Sequence, residues 1–172
     1  MIGLRPGADL LLWSGGPAPD HLEERASAAL RTGLGAWAAV RQSLLGFVAG
    51  SPYRRRAAPT LFAGAPARYL VVYPFTKSAE WHQLDHETRQ GIMDEHIRVG
   101  RRYPEVRQLL ANGFGLGDQD YIVAYETDDL VAFSELVREL RGTEARRATV
   151  SDTPVLTAVR RPDADLVRLL AA

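Results

Sequence analysis

The order of apolar and amphipathic segments predicts an α+β fold built from ferredoxin-like units, the first of them shortened. Strands at Arg68–Tyr73, Asp120–Glu126 and Pro154–Arg160, with an extended piece near Val106–Leu116, alternate with helices at Asp85–Arg102 and Asp129–Arg141. That order is β-α-β-β-α-β. The chain ahead of it supplies only strand, helix and strand. Between the two lies "AGSPYRRRAAPTLFAGAP", residues 49–66, whose prolines, glycines and arginine run read as a connecting segment. The expected division is a shortened half at 1–60 and a complete half at 61–172.

Each element has a local reason. "ADLLLW", Ala8–Trp13, is a short apolar run between Gly7 and the Ser14-Gly15-Gly16-Pro17 breaker, which predicts a buried strand. Asp20 can cap the following helix, which places Leu22, Ala26, Ala29 and Leu30 on one face and stops at Gly33. Trp37–Val48 is read as a second strand. From Tyr69 to Tyr73 five apolar or aromatic residues run together, and Pro74 is expected to end that ladder. Asp85 reads as the cap of the long helix. Before "DYIVAYE", the Gly-Asp-Gln sequence reads as a turn into a strand rather than as a phosphate loop, since "NGFGLGD" opens no helix.

Composition excludes several classes. With 172 residues the chain suits one domain, or one and a fraction, and can bury roughly 68–70% of its unfolded surface. Acidic and basic residues balance at 21 each, so the overall field favours neither nucleic acid nor an anionic membrane. Cysteine is absent, which removes disulfides and thiolate metal sites. No leading hydrophobic segment reads as a secretory signal, and the apolar runs fall short of the ~20 residues that span a bilayer. A soluble, cytoplasmic protein is the expectation.

Chemistry is concentrated in the second half. Ile92, His96, Val99 and Tyr103 fall at helical spacings of three and four, so His96 points inward. It reads either as a core histidine bonded to a carbonyl or carboxylate, or as an axial ligand to a metal or haem. His82 and His86 straddle a helix start without a third ligand at a recognisable spacing, which argues against zinc. No G-x-S-x-G occurs, so a serine hydrolase is not supported. Lys77 follows Tyr73, Arg54, Arg55 and Arg56 follow a Ser-Pro-Tyr turn, and Arg141 closes a helix. Gathered round one pocket, they would bind a ligand carrying several carboxylates.

The strand ending "YPFTK", a tryptophan four residues past the lysine, "EH" ending at residue 96, "GLGDQDYIVAYETDD" and "LVRELRGTEARR" together resemble the chlorite dismutase and coproheme decarboxylase family. The likeness is dense over residues 68–160 and looser before, through "LRPGADLLLW" and "SPYRRR". It implies a dimeric α+β barrel of two ferredoxin-like units, with haem b or iron-coproporphyrin III held in the second. It also implies a homo-oligomer, dimer or pentamer. His96 falls on the family's axial histidine.

In the decarboxylase branch a tyrosine near the porphyrin is oxidised to a radical that attacks the propionates, and Tyr73 matches it. Lys77 matches the accompanying lysine and Arg141 a propionate-binding arginine. Trp81 is read as packing for the macrocycle, and Tyr53, Arg54, Arg55 and Arg56 as further porphyrin contacts. At the distal position dismutases carry an arginine. Counting back from "GLGD" puts Gln108 there, and a one-residue slip puts Arg107 there. Where dismutases set a glutamate against the axial histidine this chain has Ala145, with Glu144 beside it.

The resemblance therefore implies a peroxide-dependent coproheme decarboxylase, making haem b from iron-coproporphyrin III. Two rivals are a chlorite dismutase using Arg107 and a haem-binding or transfer protein without turnover.

Overall fold

The computed structural model describes residues 1–50, 53 and 64–170, which gather into two compact units. One unit comprises Met1–Ser43 with the chain from Ala158 onward, and the other Leu44–Thr157.

The smaller unit begins with a hairpin, β1 (Ile2–Arg5) and β2 (Ala8–Leu10). Its turn uses Gly7 at φ +78, a left-handed conformation open to glycine at no steric cost. Gly3 is required for a different reason: a Cβ there would stand 1.7 Å from the Ala8 carbonyl oxygen across the hairpin. The expected strand Ala8–Trp13 is thus the second arm of a hairpin and ends at Leu10, and β1 ahead of the glycine was not foreseen. On its other edge β1 pairs antiparallel with the end of β7 (Leu156–Val159), Ile2 facing Val159.

Helix α1 (Pro19–Arg31) forms where periodicity placed it, but Asp20 sits inside its first turn. Pro19 opens the helix, a position that tolerates proline because the missing N–H has no intrahelical partner anyway. The strand expected at Trp37–Val48 does not form. Gly33–Trp37 is a 3₁₀ turn, and of the rest only Phe47 finds a sheet edge, in a single bridge to Asn112. Apolar composition alone cannot make a strand without a partner to satisfy its backbone, and Trp37 is left 91% exposed.

The larger unit is built on β3 (Tyr69–Lys77), which pairs antiparallel with β5 (Tyr121–Thr127) in unbroken register from Tyr69↔Thr127 to Phe75↔Tyr121. Beyond β5 lies β4 (Arg107–Asn112), and β6 (Thr149–Ser151) pairs with the far end of β3 at Thr76 and Lys77. Pro74 does not end the ladder: it faces Ile122 and the strand continues for three residues. That continuation carries Lys77 into the sheet.

Because side chains alternate, residues facing one another share a side. Val71, Tyr73, Phe75, Val123 and Tyr125 lie together on one face, where Val71, Val123 and Tyr125 form a core with Val106 and with Ala132 and Leu136 of α4 (Leu130–Arg141). Val99 and Tyr103, at the end of α3 (His86–Gly100) and just beyond, pack on the same cluster. Full burial of Val71 alone contributes roughly 1.5–3 kcal/mol. Both long helices are capped by aspartate: Asp85 Oδ1 accepts the Thr88 N–H at 2.8 Å, and Asp129 Oδ1 accepts those of Val131 and Ala132. Besides β1, four further short elements were not foreseen: α2 (Ala79–Gln83), α5 (Glu144–Arg147), β6 and α6 (Asp163–Leu170).

Candidate active site

The helix-covered face of β3 sets Tyr73 beside Tyr125, ring centroids 6.0 Å apart. Burial pushes the Tyr73 phenol above its ordinary range. The Tyr125 hydroxyl opposes that rise through a hydrogen bond; farther off, Asp152 adds to it and the charges of Arg141 and Arg146 oppose it. The phenol is therefore neutral at physiological pH, within the field of two guanidiniums.

Lys77 follows two pleats later. Its Nζ donates to the Ala145 carbonyl at 2.6 Å and to Thr149 Oγ1 at 3.1 Å, and lies 4.6 Å from the centre of the Trp81 ring. Trp81 is buried on α2, whose start is fixed by Ser78 Oγ accepting the Trp81 N–H. The lysine-to-tryptophan spacing of four thus has a structural cause, a strand end turning into one helical turn. Burial, with the nearby Arg146 charge adding to it, pushes the ammonium down to about 8.

Arg146 belongs to α5 and was not singled out from the sequence. Its guanidinium donates to the Thr149 carbonyl at 3.0 Å and stands 3.3 Å from Asp152 Oδ2. Arg141, at the end of α4, lies 3.9 Å from the same carboxylate with most of its side chain in solvent. Tyr125, Arg146 and Asp152 thus join Tyr73, Lys77 and Arg141. For Arg146 the only sequence signal was its place in "TEARR"; what brings it in is the fold of α5 back onto β6.

His96 is half-buried on the α3 stripe with Ile92, Val99 and Tyr103, and its Nδ1 is buried. Glu144 is exposed and paired with Arg147 at 3.0 Å, while Ala145 is buried with its carbonyl committed to Lys77. The two distal candidates separate by strand alternation. Gln108 faces Tyr125 in register and so lies on the side of Tyr73. Arg107 lies on the other side, 2.7 Å from Glu126 Oε2, and also donates to the Ala65 carbonyl at 2.8 Å. Tyr53 stacks on His86, centroids 6.0 Å apart, and His82 pairs with Asp120 at 3.1 Å. Arg54, Arg55 and Arg56 lie outside the described residues.

Fold and site define a class: an α+β protein whose sheet presents a pair of tyrosines and basic side chains on the face covered by a histidine-bearing helix. Residues 1–161 match the family model described as chlorite dismutase. A coproheme decarboxylase from Mycolicibacterium smegmatis is 34% identical over 162 residues, spanning 93% of this chain and 70% of the relative. Among solved structures, chlorite dismutase from Candidatus Nitrospira defluvii in complex with imidazole superposes with a TM-score of 0.79 at 27% identity, over 90% of this chain and 69% of that one. A mutant of that enzyme in complex with cyanide gives 0.77 at 26%, with the same coverage. The chain belongs to the chlorite dismutase family.

Proposed function

We propose that the chain is a peroxide-dependent coproheme decarboxylase that converts two propionates of iron-coproporphyrin III to vinyl groups, yielding haem b. The observation that carries this reading is the largely enclosed Tyr73 phenol in the field of Arg141 and Arg146, with Arg146 acting on Lys77 as well; the 34% identical relative named for that reaction supports it.

The residues fit such a substrate. A flat aromatic face lies under α3, basic groups gather at one end, and His96 offers an imidazole for iron. The bound iron, with peroxide, supplies oxidising power. Tyr73 gives up an electron and its phenolic proton, then takes a hydrogen atom from the β-carbon of a propionate. Loss of a second electron releases carbon dioxide and leaves a vinyl group. For each propionate, one proton and two electrons depart, and one peroxide accepts two electrons and two protons to become two waters.

Lys77 holds the reacting carboxylate, and Arg141 and Arg146 add positive charge at the same end. Gln108, on the Tyr73 face, lines the distal side in preference to Arg107. Trp81 fixes Lys77 rather than only packing the macrocycle, and Tyr53 contributes a further contact. The porphyrin-binding half is taken as residues 61–172. The working form is a cytoplasmic homo-oligomer, dimer or pentamer; no helix among the described residues is long and apolar enough to cross a membrane.

The test is to load the protein with iron-coproporphyrin III, titrate with peroxide and follow the porphyrin mass. Loss of two carbon dioxide units is expected for the wild type. Tyr73→Phe is expected to bind the porphyrin and return it unchanged; turnover at the wild-type rate would remove Tyr73 from the mechanism.

A further inference from the structure

Arg89 stands on α3 seven residues before His96, which places the two side chains on one stripe, about 10 Å apart along the helix. Its Nε is buried and, among the described residues, has no hydrogen-bond partner, nor does its guanidinium form an ion pair. Leaving a buried cationic donor unsatisfied carries the desolvation cost of that group with nothing to offset it. An acceptor supplied from outside the chain would remove that cost.

The surroundings say where such an acceptor would lie. Tyr121 faces Phe75, one pleat beyond Tyr73 on the same side of the sheet, and its ring stacks on Phe75 at 4.9 Å. Burial pushes the Tyr121 phenol up, Tyr53 and Asp120 add to the rise, and the Arg89 guanidinium opposes it, so Arg89 acts at this spot. Asp120, the acid acting on the same phenol, is already engaged: its Oδ2 accepts the Lys77 backbone N–H at 2.8 Å and lies 3.1 Å from His82 Nε2. Tyr53 closes the other flank, stacked on His86 with its carbonyl accepting Gln90 Nε2 at 3.5 Å. The charge of Arg89 thus acts on Tyr121 of β5, whereas Arg146, bonded to Thr149 of β6, and Asp152 act on Tyr73.

We propose that Arg89 is a second carboxylate anchor of the porphyrin site, holding a propionate that does not react. The inference rests on the decarboxylase reading and deepens it. A carboxylate held here is separated from Tyr73 by the Phe75–Tyr121 pair, so it survives the reaction and is present in both substrate and product. Arg89 accordingly positions the macrocycle and contributes equally to binding before and after turnover.

The test is a Soret titration of wild type, Arg89→Gln and Arg89→Lys with three ligands: iron-coproporphyrin III, haem b and haem b dimethyl ester. Arg89→Gln is expected to raise Kd for both free acids about tenfold or more, by a similar factor for each, while the ester binds wild type and variant alike. Arg89→Lys is expected to restore part of the loss. Should Arg89→Gln not fold, by far-UV circular dichroism, Arg89→Lys is read alone: weaker, more salt-sensitive binding of the acids is expected, and an unchanged Kd overturns the assignment. Unchanged Kd values in Arg89→Gln, or equal weakening of acids and ester, would overturn it too. Wild type that binds none of the three would sink the decarboxylase reading instead; wild type that binds and turns over beside an unaffected Arg89→Gln would sink only the role of Arg89.

Discussion

At the scale of single residues the site is organised by charges that burial alters. Lys77 has a pKa of about 8, so in the free protein it attracts carboxylates below that pH and does so less as pH rises through it. The ratio kcat/KM reports groups of the free enzyme. In peroxide-driven decarboxylation it should therefore fall above pH about 8, and Lys77→Arg, which keeps its charge, should move the fall to higher pH. A flat profile from pH 7 to 10 in the wild type would show that Lys77 does not meet the substrate as a cation. The sequence put a lysine four residues past a tyrosine, but the Ala145 carbonyl and the Arg146 charge that set its environment lie some seventy residues away. Such partners are not legible from local pattern.

At the scale of the element, strand alternation separates Gln108 from Arg107. Sequence counting left both as distal candidates because a slip of one residue is invisible in a spacing, yet one residue in a strand reverses the face. Paired with β5, β4 turns Gln108 toward the Tyr73 side and Arg107 toward Glu126. Arg107→Ala would leave Glu126, itself buried, without that guanidinium, and should destabilise the protein by about 2–3 kcal/mol. Denaturant unfolding should show that loss while Soret titration gives an unchanged Kd for iron-coproporphyrin III. Weakened porphyrin binding at undiminished stability would place Arg107 in the site instead. Helices α3 and α4 were readable because apolar spacing and an aspartate cap are local signals; α5 and β6 were missed because four- and three-residue elements carry no periodicity.

At the scale of the whole molecule, the chain spans 70% of the length of its Mycolicibacterium relative, and assembly bears directly on the proposed activity. Sedimentation of the purified protein with and without porphyrin should show an oligomer, dimer or pentamer; a monomer active in decarboxylation would remove oligomerisation from the proposal. The isolated Trp37–Val48 segment shows the limit of composition as a guide. Its residues are apolar enough for a strand, but only Phe47 reaches a backbone that can pair with it.

The sequence by itself determined the alternation of strands and helices in the second half, the packing of Val99 and Tyr103 against the core and the family, because each depends on spacings within a short stretch or on several ordered motifs. Tertiary structure alone decided that Pro74 stays within the sheet, that Arg146 and Asp152 stand near Tyr73, and that the two distal candidates face opposite ways. These are matters of which distant backbone a segment pairs with, and pairing energy is shared between residues that no local window contains together.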